Sequence, residues 1–432
     1  MIRGHLTILL VLTASVANAQ RSFTVSLSPT NQNGIVISWK AQSATPVGDL
    51  LIVPEHQVER SHDLRTWEAI TAKLSAAPGQ IIKVVDSNSS PAFYRVSSVI
   101  DKEYAQLSHV RLDFGQLQGA DFFGANLFAA SLAGATLGGS SLSATDLRLA
   151  DFTGADLSGA DLFGCQAATA IFDFAELAHA DCGFADFEAA SLFAADLTEA
   201  DFRFSILAGA DLDFAFWHGV HLDANTVIDS KPLLIWQVVN QGAVNATLMN
   251  QDLSLASFTN VNFHGARLNN SDLSGSDLRG ADLRAANLTG VNTRFVDLRG
   301  TLLDGTTAID LKSRLVWQIL NAGGAGQDFH GTNLSSVFLV GANLVGANLN
   351  NAVFTTSIIE GGNFGAANLT RANLNSADLF SAVFTNANVT QALFRSADLT
   401  RANFRNATTN GADFTGAIFS NTIMPDGSIR NF

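Results

Sequence analysis

The sequence predicts an all-β protein whose main part is a solenoid of short square coils. Leu or Phe recurs every five residues over most of the chain, a small residue lies two positions before each of them, and the residue between is mostly Asp or Asn. A short period kept over such a length is the mark of a repeat architecture. A period of five fits neither an α-helix nor one long strand.

The Leu/Phe ladder has three parts. They run from Leu112 to Leu222, from Leu248 to Leu303 and from Phe329 to Phe419, or 54 units in steps of five. Within a unit, the alternation small-polar-large predicts a short extended piece with its apolar residues inside and the polar residue outside. The other two residues, rich in Gly, Ser, Thr and Ala, turn the corner. Four units then make one square coil.

The same pattern resembles the A-(D/N)-L-x-x signature of the pentapeptide-repeat family. Matching stretches include Ala155-Asp156-Leu157, Ala281-Asp282-Leu283, Ala342-Asn343-Leu344, Ala347-Asn348-Leu349 and Ala372-Asn373-Leu374. The resemblance covers about residues 105–432. It implies a right-handed quadrilateral parallel β-helix.

The N-terminus, residues 1–19, has the pattern of a secretory signal peptide. Arg3 supplies a positive end, Leu6–Leu12 an apolar core, and Ala17-Asn18-Ala19 a small-x-small cleavage site. We therefore expect a mature chain that starts at Gln20 and is exported to the periplasm, cell envelope or medium. The apolar run is too short to span a bilayer, and we expect no transmembrane segment after cleavage. An uncleaved membrane anchor is the alternative.

Residues 20–104 do not repeat and predict a small β-sandwich. Ser22–Leu27 and Gly34–Trp39 alternate like two strands around a turn, and Phe93–Ser97 is typical of a later strand. Trp39 and the Tyr94-Arg95-Val96 strand resemble a fibronectin type III domain. In exported proteins such a domain implies a spacer or an adhesive unit.

Two insertions interrupt the ladder, between Leu222 and Leu248 and between Leu303 and Phe329. They match each other at a constant offset of 81 residues. Each predicts a short helix, near 229–242 and 310–323, with Trp236 and Trp317 at equivalent positions. If each insertion replaces one side of a coil, both helices leave the same side, three coils apart. Residues 420–432 resemble the start of the insertions and are interpreted as a terminal cap.

The acidic residues are concentrated in the first part of the ladder. The chain has a net charge of −14, and residues 107–222 contribute 16 Asp and Glu against three Arg. The candidate binding surface consists of outward aspartates and the two tryptophans: Asp146, Asp151, Asp156, Asp161, Asp181, Asp186, Asp196, Asp201, Trp236 and Trp317. The tryptophans either cover the side of the rod or form an aromatic docking pair. Three interpretations of the acids are open: solubility alone, calcium binding by facing pairs, or mimicry of the charge spacing of nucleic acid. Quinolone-resistance members of the resembling family act as DNA mimics on DNA gyrase.

The remaining residues predict no reaction centre, cofactor or metal. No catalytic or phosphate-binding motif is found. Cys165 and Cys182 fall at inward positions and are expected to be buried thiols. His218 and His221 form one close pair, for which Asp223 is the nearest third ligand. We expect four arginines of the middle segment to pair with neighbouring aspartates: Arg279, Arg284, Arg294 and Arg299 with Asp277, Asp282 and Asp297.

Together these observations predict an exported, non-enzymatic rod that binds an unidentified protein or an envelope polymer. Nucleic acid is not an expected partner, and the oligomeric state stays open. The first alternative is an acidic DNA mimic that acts on DNA gyrase, which the signal peptide opposes. The second is a carbohydrate-active β-helix, which requires carboxylates clustered in a concavity.

Overall fold

A computed structural model describes residues 107–431 and, within residues 1–106, the backbone of eight strands. Contacts divide the chain into two units. Unit 1 comprises Met1–Leu212 with His218–Asp229, and unit 2 comprises Asp213–Trp217 with Ser230–Phe432. The predicted signal peptide lies outside the described residues.

Unit 1 begins with eight short strands. Their bounds are β1 (Val25–Pro29), β2 (Ile35–Lys40), β3 (Thr45–Val47), β4 (Leu50–Ile52), β5 (Glu55–Ser61), β6 (Glu68–Ala69), β7 (Ile81–Asp86) and β8 (Phe93–Val99). Antiparallel pairing gives the orders β1-β2-β7, β3-β4 and β6-β5-β8. The predicted hairpin is present, with Val25 opposite Trp39. The packing of these sheets into a sandwich stays a prediction.

From Leu107 onward, unit 1 consists of coils whose sides each hold one five-residue unit. In a representative unit, Asp156 bridges in parallel to Thr136 one coil before and to Glu176 one coil after. Leu157 points inward and is fully buried. Ala160 N–H then donates to Leu157 O at 2.9 Å, and Gly159 between them has a φ of 63°. A positive φ at the third residue of a hydrogen-bonded turn defines a type II turn.

The core is the predicted ladder, stacked with a period of 20 residues. Phe152 lies over Phe172 with ring centroids 4.9 Å apart and planes 1° from parallel. Ala167, where the Leu/Phe pattern lapses, keeps the ladder position and is buried. Cys165 and Cys182 are buried free thiols, as predicted, and desolvation holds the pKa of each well above its usual value.

Unit 2 contains further coils, two helices and a hairpin. The helices are α1 (Ser230–Gln241) and α2 (Leu311–Asn321), and both lie within the predicted insertions. The hairpin pairs β9 (Thr422–Ile423) with β10 (Ile429–Arg430). No helix among the described residues is long and apolar enough to cross a bilayer.

The two helices pack on the same side of unit 2, as predicted. The side-chain amide of Asn240, in α1, donates to Trp217 O, and that of Asn321, in α2, donates to Leu298 O. Phe214 N–H bonds to Leu255 O. This bond places the coil side that contains Trp217 directly against the coil side that contains Phe258. On the same face, Ser257 bridges to Asp277 and Asp277 bridges to Asp297. The sides of Trp217 and Leu298, on which the two helices pack, are therefore three coil steps apart, or about 14 Å.

The prediction that each insertion replaces one side is wrong for both helices. At α1, Phe214 N–H bonds to Leu255 O, 41 residues further along instead of the usual 19, and the ladder resumes at the buried Ala243. At α2, Phe295 N–H bonds to Ser336 O, also 41 residues further along. The ladder continues to Ile309, since Ala308 still bridges to Asn287, and it resumes at Gly324, whose N–H bonds to Asn343 O. Counting sides from Phe295 to Ser336 leaves two without a five-residue unit. Gly324 carries no side chain to mark a ladder position, so the sequence pattern misses it.

The C-terminal tail continues the coil and then folds back. Thr422 is fully buried, and its hydroxyl donates to Leu399 O at 2.7 Å. Phe404 N–H bonds to Ile423 O, and β10 covers the other edge of β9. An edge strand covered in this way is protected from pairing with another chain, which supports the interpretation of the tail as a cap.

Two phenylalanines two residues apart test the core. Phe172 is fully buried, whereas Phe174 is 59% exposed at a turn. We expect Phe172→Ala to lower the free energy of unfolding by about 3–5 kcal/mol because it leaves a cavity between stacked rings. Phe174→Ala, the matched control, should change it by under about 1 kcal/mol. Denaturant unfolding measures both, and equal losses would contradict the inward ladder.

Candidate functional site: the acidic faces of unit 1

The eight predicted aspartates occupy four different faces of unit 1. Because each coil has four sides, a side chain stacks on the residue 20 positions away, not on the residue five positions away. Asp161, Asp181 and Asp201 share one face, Asp156 and Asp196 a second, Asp146 and Asp186 a third, and Asp151 lies on the fourth. The aspartates therefore form separate columns instead of one row.

Two of the columns hold three consecutive acids. One is Asp161–Asp181–Asp201, and we call it column A. The other is Asp156–Glu176–Asp196, in which Glu176 is a member that the pattern of aspartates in the sequence does not indicate. Neighbouring coils lie about 4.8 Å apart, so each column is a ladder of carboxylates at strand spacing. Elsewhere Gln166 separates Asp146 from Asp186, and Ile171 follows Asp151.

The carboxylates also cap the turns that follow them. In every one of the eight aspartates, Oδ1 accepts the backbone N–H of the residue two positions later, at 2.9 to 3.2 Å. Such a bond mimics a backbone turn and is a common role of Asp and Asn. This second role supports the structural interpretation of the aspartates.

Arginines neutralise some of these acids. Arg148 pairs with Asp146 at 2.8 Å and Arg203 pairs with Asp201, and hydrogen bonds from each guanidinium lower the pKa of the paired carboxyl below its usual value. No ion pair joins Asp161 or Asp181 to a described residue. Column A is therefore charged mainly at its first two members.

In unit 2 the predicted arginine pairs are confirmed for three of the four residues. Arg279, Arg284 and Arg299 contact Asp277, Asp282 and Asp297 at 2.6 to 2.7 Å. Arg294 instead lies over the ring of Phe295, with 5.7 Å from the guanidinium carbon to the centroid. The three arginine side chains are 40% to 49% exposed, so each pair contributes little stability.

The two predicted tryptophans lie on the helices and are half-buried. Trp317 Nε1 donates to Thr301 O at 2.7 Å, which fixes its indole against the coil. Trp236 occupies the equivalent position in α1. Their partial burial favours the interpretation that they cover the side of unit 2. Their use as an aromatic docking pair stays a prediction.

Side chains of α2 replace missing strand partners. The Asn321 side chain donates to Leu298 O and accepts from Gly300 N–H at 2.6 Å. Asp310 caps the helix by accepting Ser313 N–H at 3.0 Å, and the Ser313 hydroxyl meets Thr293 at 2.6 Å. These contacts matter because an unpartnered buried backbone group costs free energy.

A further acidic group, not predicted, lies in unit 2. Asp378 bridges to Asp398, and the negative charges of both act on Glu360. Partial desolvation of Glu360, together with the negative charges of Asp378 and Asp398, raises the pKa of Glu360 above its usual value. No set of three or more His, Cys, Asp or Glu residues is arranged to hold a metal ion in the part of the chain that the structure describes.

A comparison with protein families identifies the repeat. The profile of pentapeptide repeats matches residues 105–143, 130–165, 170–203, 195–215, 244–275, 268–305, 328–361, 363–395 and 397–431. The chain belongs to the pentapeptide repeat family. Membership implies that its coils form a right-handed β-helix solenoid. Family proteins are generally structural or binding proteins. A comparison with curated proteins gave no match.

Solved structures of pentapeptide repeat proteins resemble parts of this chain. One, from the thylakoid lumen of Arabidopsis thaliana, is 33% identical over 23% of this chain and 70% of its own, with a TM-score of 0.23. HetL, involved in heterocyst differentiation regulation in Nostoc, is 22% identical over 73% of this chain and 94% of its own, with a TM-score of 0.13. QnrB1, a plasmid-mediated fluoroquinolone resistance protein, is 19% identical over 48% of this chain and 94% of its own, with a TM-score of 0.16.

Asn321→Ala tests the role of α2 in completing unit 2. The change leaves Leu298 O and Gly300 N–H without their partner, and we expect the free energy of unfolding to fall by about 1–3 kcal/mol. Gln318→Ala, on the exposed face of the same helix, should cost under about 0.5 kcal/mol. Denaturant unfolding followed by tryptophan fluorescence compares them. A loss for Asn321→Ala no larger than the control's would show that the bonds are dispensable.

Glu360→Gln tests the acidic group of unit 2. Because folding raises the pKa of Glu360, the folded chain binds more protons than the unfolded chain near that pKa, and ionisation destabilises the fold as pH rises. We therefore expect the variant to unfold at higher denaturant than the parent at pH 7. The difference should vanish below the usual glutamate pKa of 4.5. Asp378→Asn should give a gain of the same sign, and a gain that grows on acidification would contradict the assignment.

Proposed function

We propose that the protein is an exported, non-enzymatic binding protein whose acidic faces engage another protein or an envelope polymer. The observation that carries this proposal is the choice of Asp over Asn in unit 1. In unit 2, Asn363, Asn373 and Asn388 cap the same turn with the same backbone bond at 3.0 to 3.1 Å. Since an uncharged residue satisfies the turn, the negative charge of unit 1 is not required by the fold.

The form of the charge supports binding to a cationic partner. Column A and the Asp156–Glu176–Asp196 column hold carboxylates at about 4.8 Å intervals on a backbone fixed by hydrogen bonds. Stacked like charges repel, so a partner that supplies positive charge relieves an unfavourable interaction that the free protein carries. Lys- or Arg-rich protein segments and cationic polymers have this chemistry.

Export rests on the signal-peptide pattern of residues 1–19. Sequencing the N-terminus of the native protein after cell fractionation tests it. We expect a chain that begins at Gln20 outside the cytoplasm, and we expect Ala19→Arg to block cleavage because the site requires a small residue. Ser15→Ala serves as the control that leaves cleavage intact. A full-length native chain in the cytoplasm would contradict export.

Binding through the acids is tested with charge-removing variants that keep the turn. Asp161→Asn and Asp181→Asn retain the Oδ1 acceptor, as the native Asn126 does towards Phe128 N–H. We expect the double variant to retain its fold but to lose capture of its main partner from envelope extracts. The same partner retained in undiminished amount would remove column A from the binding surface.

Action on DNA gyrase is the second candidate, because carboxylate ladders also resemble the regular charge of a nucleic-acid backbone. Inhibition of gyrase supercoiling by the native chain, abolished in the Asp161→Asn/Asp181→Asn variant, would favour it over an envelope partner. A chain found only outside the cytoplasm would exclude it.

A further inference from the structure

Large apolar side chains line one corner of unit 1, next to column A. We call Phe163, Phe184, Phe204, Ile206 and Val227 the aromatic strip. Each is 38% to 56% exposed. A single exposed apolar residue needs no explanation, but a contiguous exposed patch marks an interaction site.

The strip is continuous over successive coils. The rings of Phe184 and Phe204 stack 4.6 Å apart and 3° from parallel, and Phe163 lies 5.2 Å from Phe184. Ile206 follows Phe204 by two residues and bridges in parallel to Val227. Gly183 leaves room for this arrangement, because a Cβ there would lie 3.3 Å from the Phe163 ring. The five side chains therefore form one surface.

The backbone at this corner would accept glycine more easily than phenylalanine. Phe184 and Phe204 have φ values of 57° and 61°, and Gly124 and Gly164 occupy the same turn position in earlier coils, at 63° and 65°. A left-handed conformation costs an L-residue about 1–2 kcal/mol relative to glycine, and ring stacking offsets only part of that. The fold therefore does not require phenylalanine at this turn, which agrees with a binding role for the two rings.

Acidic side chains flank the strip on both sides. Column A lies on the face before this corner, and Asp186 and Glu188 follow the corner on the next side. The apolar surface therefore requires a partner with apolar residues bordered by positive charge. A second copy of this chain would bring carboxylates against carboxylates, so electrostatics disfavours self-association through the strip.

The spacing of the strip indicates the form of the partner. Successive side chains of the strip lie about 4.8 Å apart, the distance between coils. An α-helix presents an apolar residue about every 5.4 Å along one face, whereas a strand presents one about every 6.7 Å. Three coil steps, about 14 Å, match between two and three helical turns. We propose that the aromatic strip docks a basic amphipathic α-helix of a partner protein, which deepens and rests on the binding function proposed above.

A peptide probe and a double variant test this proposal. The probe is a labelled 14-residue peptide of Leu and Lys with Leu along one helical face, and the protein is the full mature chain. We expect binding by fluorescence anisotropy, weakened about tenfold or more by Phe184→Gly/Phe204→Gly, since buried aromatic anchors dominate such interfaces. Because glycine suits both φ values, the variant should unfold within a few degrees of the parent.

The chain supplies a matched control at the diagonally opposite corner. Phe174 is also exposed and left-handed, with a φ of 59°. Phe174→Gly should leave peptide affinity within about twofold of the parent. A peptide with Glu in place of Lys should not bind, and one with alternating Leu and Lys, which favours a strand, should bind more weakly.

Three results would overturn the proposal. They are equal affinities for the Phe184→Gly/Phe204→Gly and Phe174→Gly variants, equal binding of the Glu peptide, and self-association of the native chain that the double variant abolishes. The third result would make a second copy the occupant. If the peptide fails while charge removal in column A still abolishes partner capture, the binding function stands and only the strip is wrong.

Discussion

The backbone hydrogen bonds between successive coils decide what every outward residue can do. Leu157 N–H bonds to Glu176 O, and Asp156 N–H bonds to Ala135 O, and this pattern recurs along both units. It ties each residue to the one 20 positions away. Inside, it stacks Leu on Leu and Phe on Phe. Outside, it arranges side chains in columns at a constant spacing. Because a coil has four sides of five residues, the residues 20 positions apart determine the chemistry of each column.

Within such a column, one side chain serves two purposes. The Asp at the bridge position caps its turn through one oxygen and presents charge through the other. Replacement of Asp by Asn in the later coils separates these purposes, because the turn survives without the charge. A regular scaffold can therefore change its surface from neutral to acidic without any change in fold. The concentration of acid in unit 1 is a property of the surface, and that is where a partner would recognise it.

The helices supply hydrogen-bond partners for backbone groups of the coils. Where α2 takes the place of coil sides, backbone groups of the coil beneath lose their strand partners. Asn321 and Trp317 supply side-chain bonds to Leu298, Gly300 and Thr301 in their place. The equivalent Asn240 bonds to Trp217 O in α1. Asn240 and Asn321 lie 81 positions apart and bond to equivalent carbonyl groups, which gives one physical reason for the match between the two insertions.

The sequence alone determined the repeat, its inward and outward positions, the buried cysteines, the two helices and the common side from which they emerge. It could do so because the five-residue period fixes which residues point inward: the large residues must be buried, and the turn residues must lie between them. It did not predict that each helix replaces two sides, because Ala243 and Gly324 continue the ladder without a large side chain. It also did not separate the acids into columns or identify their bonds to the turns, since those depend on stacking across coils. Only the tertiary structure brings Phe163, Phe184 and Phe204 together, because residues about 20 positions apart become neighbours when the coil closes.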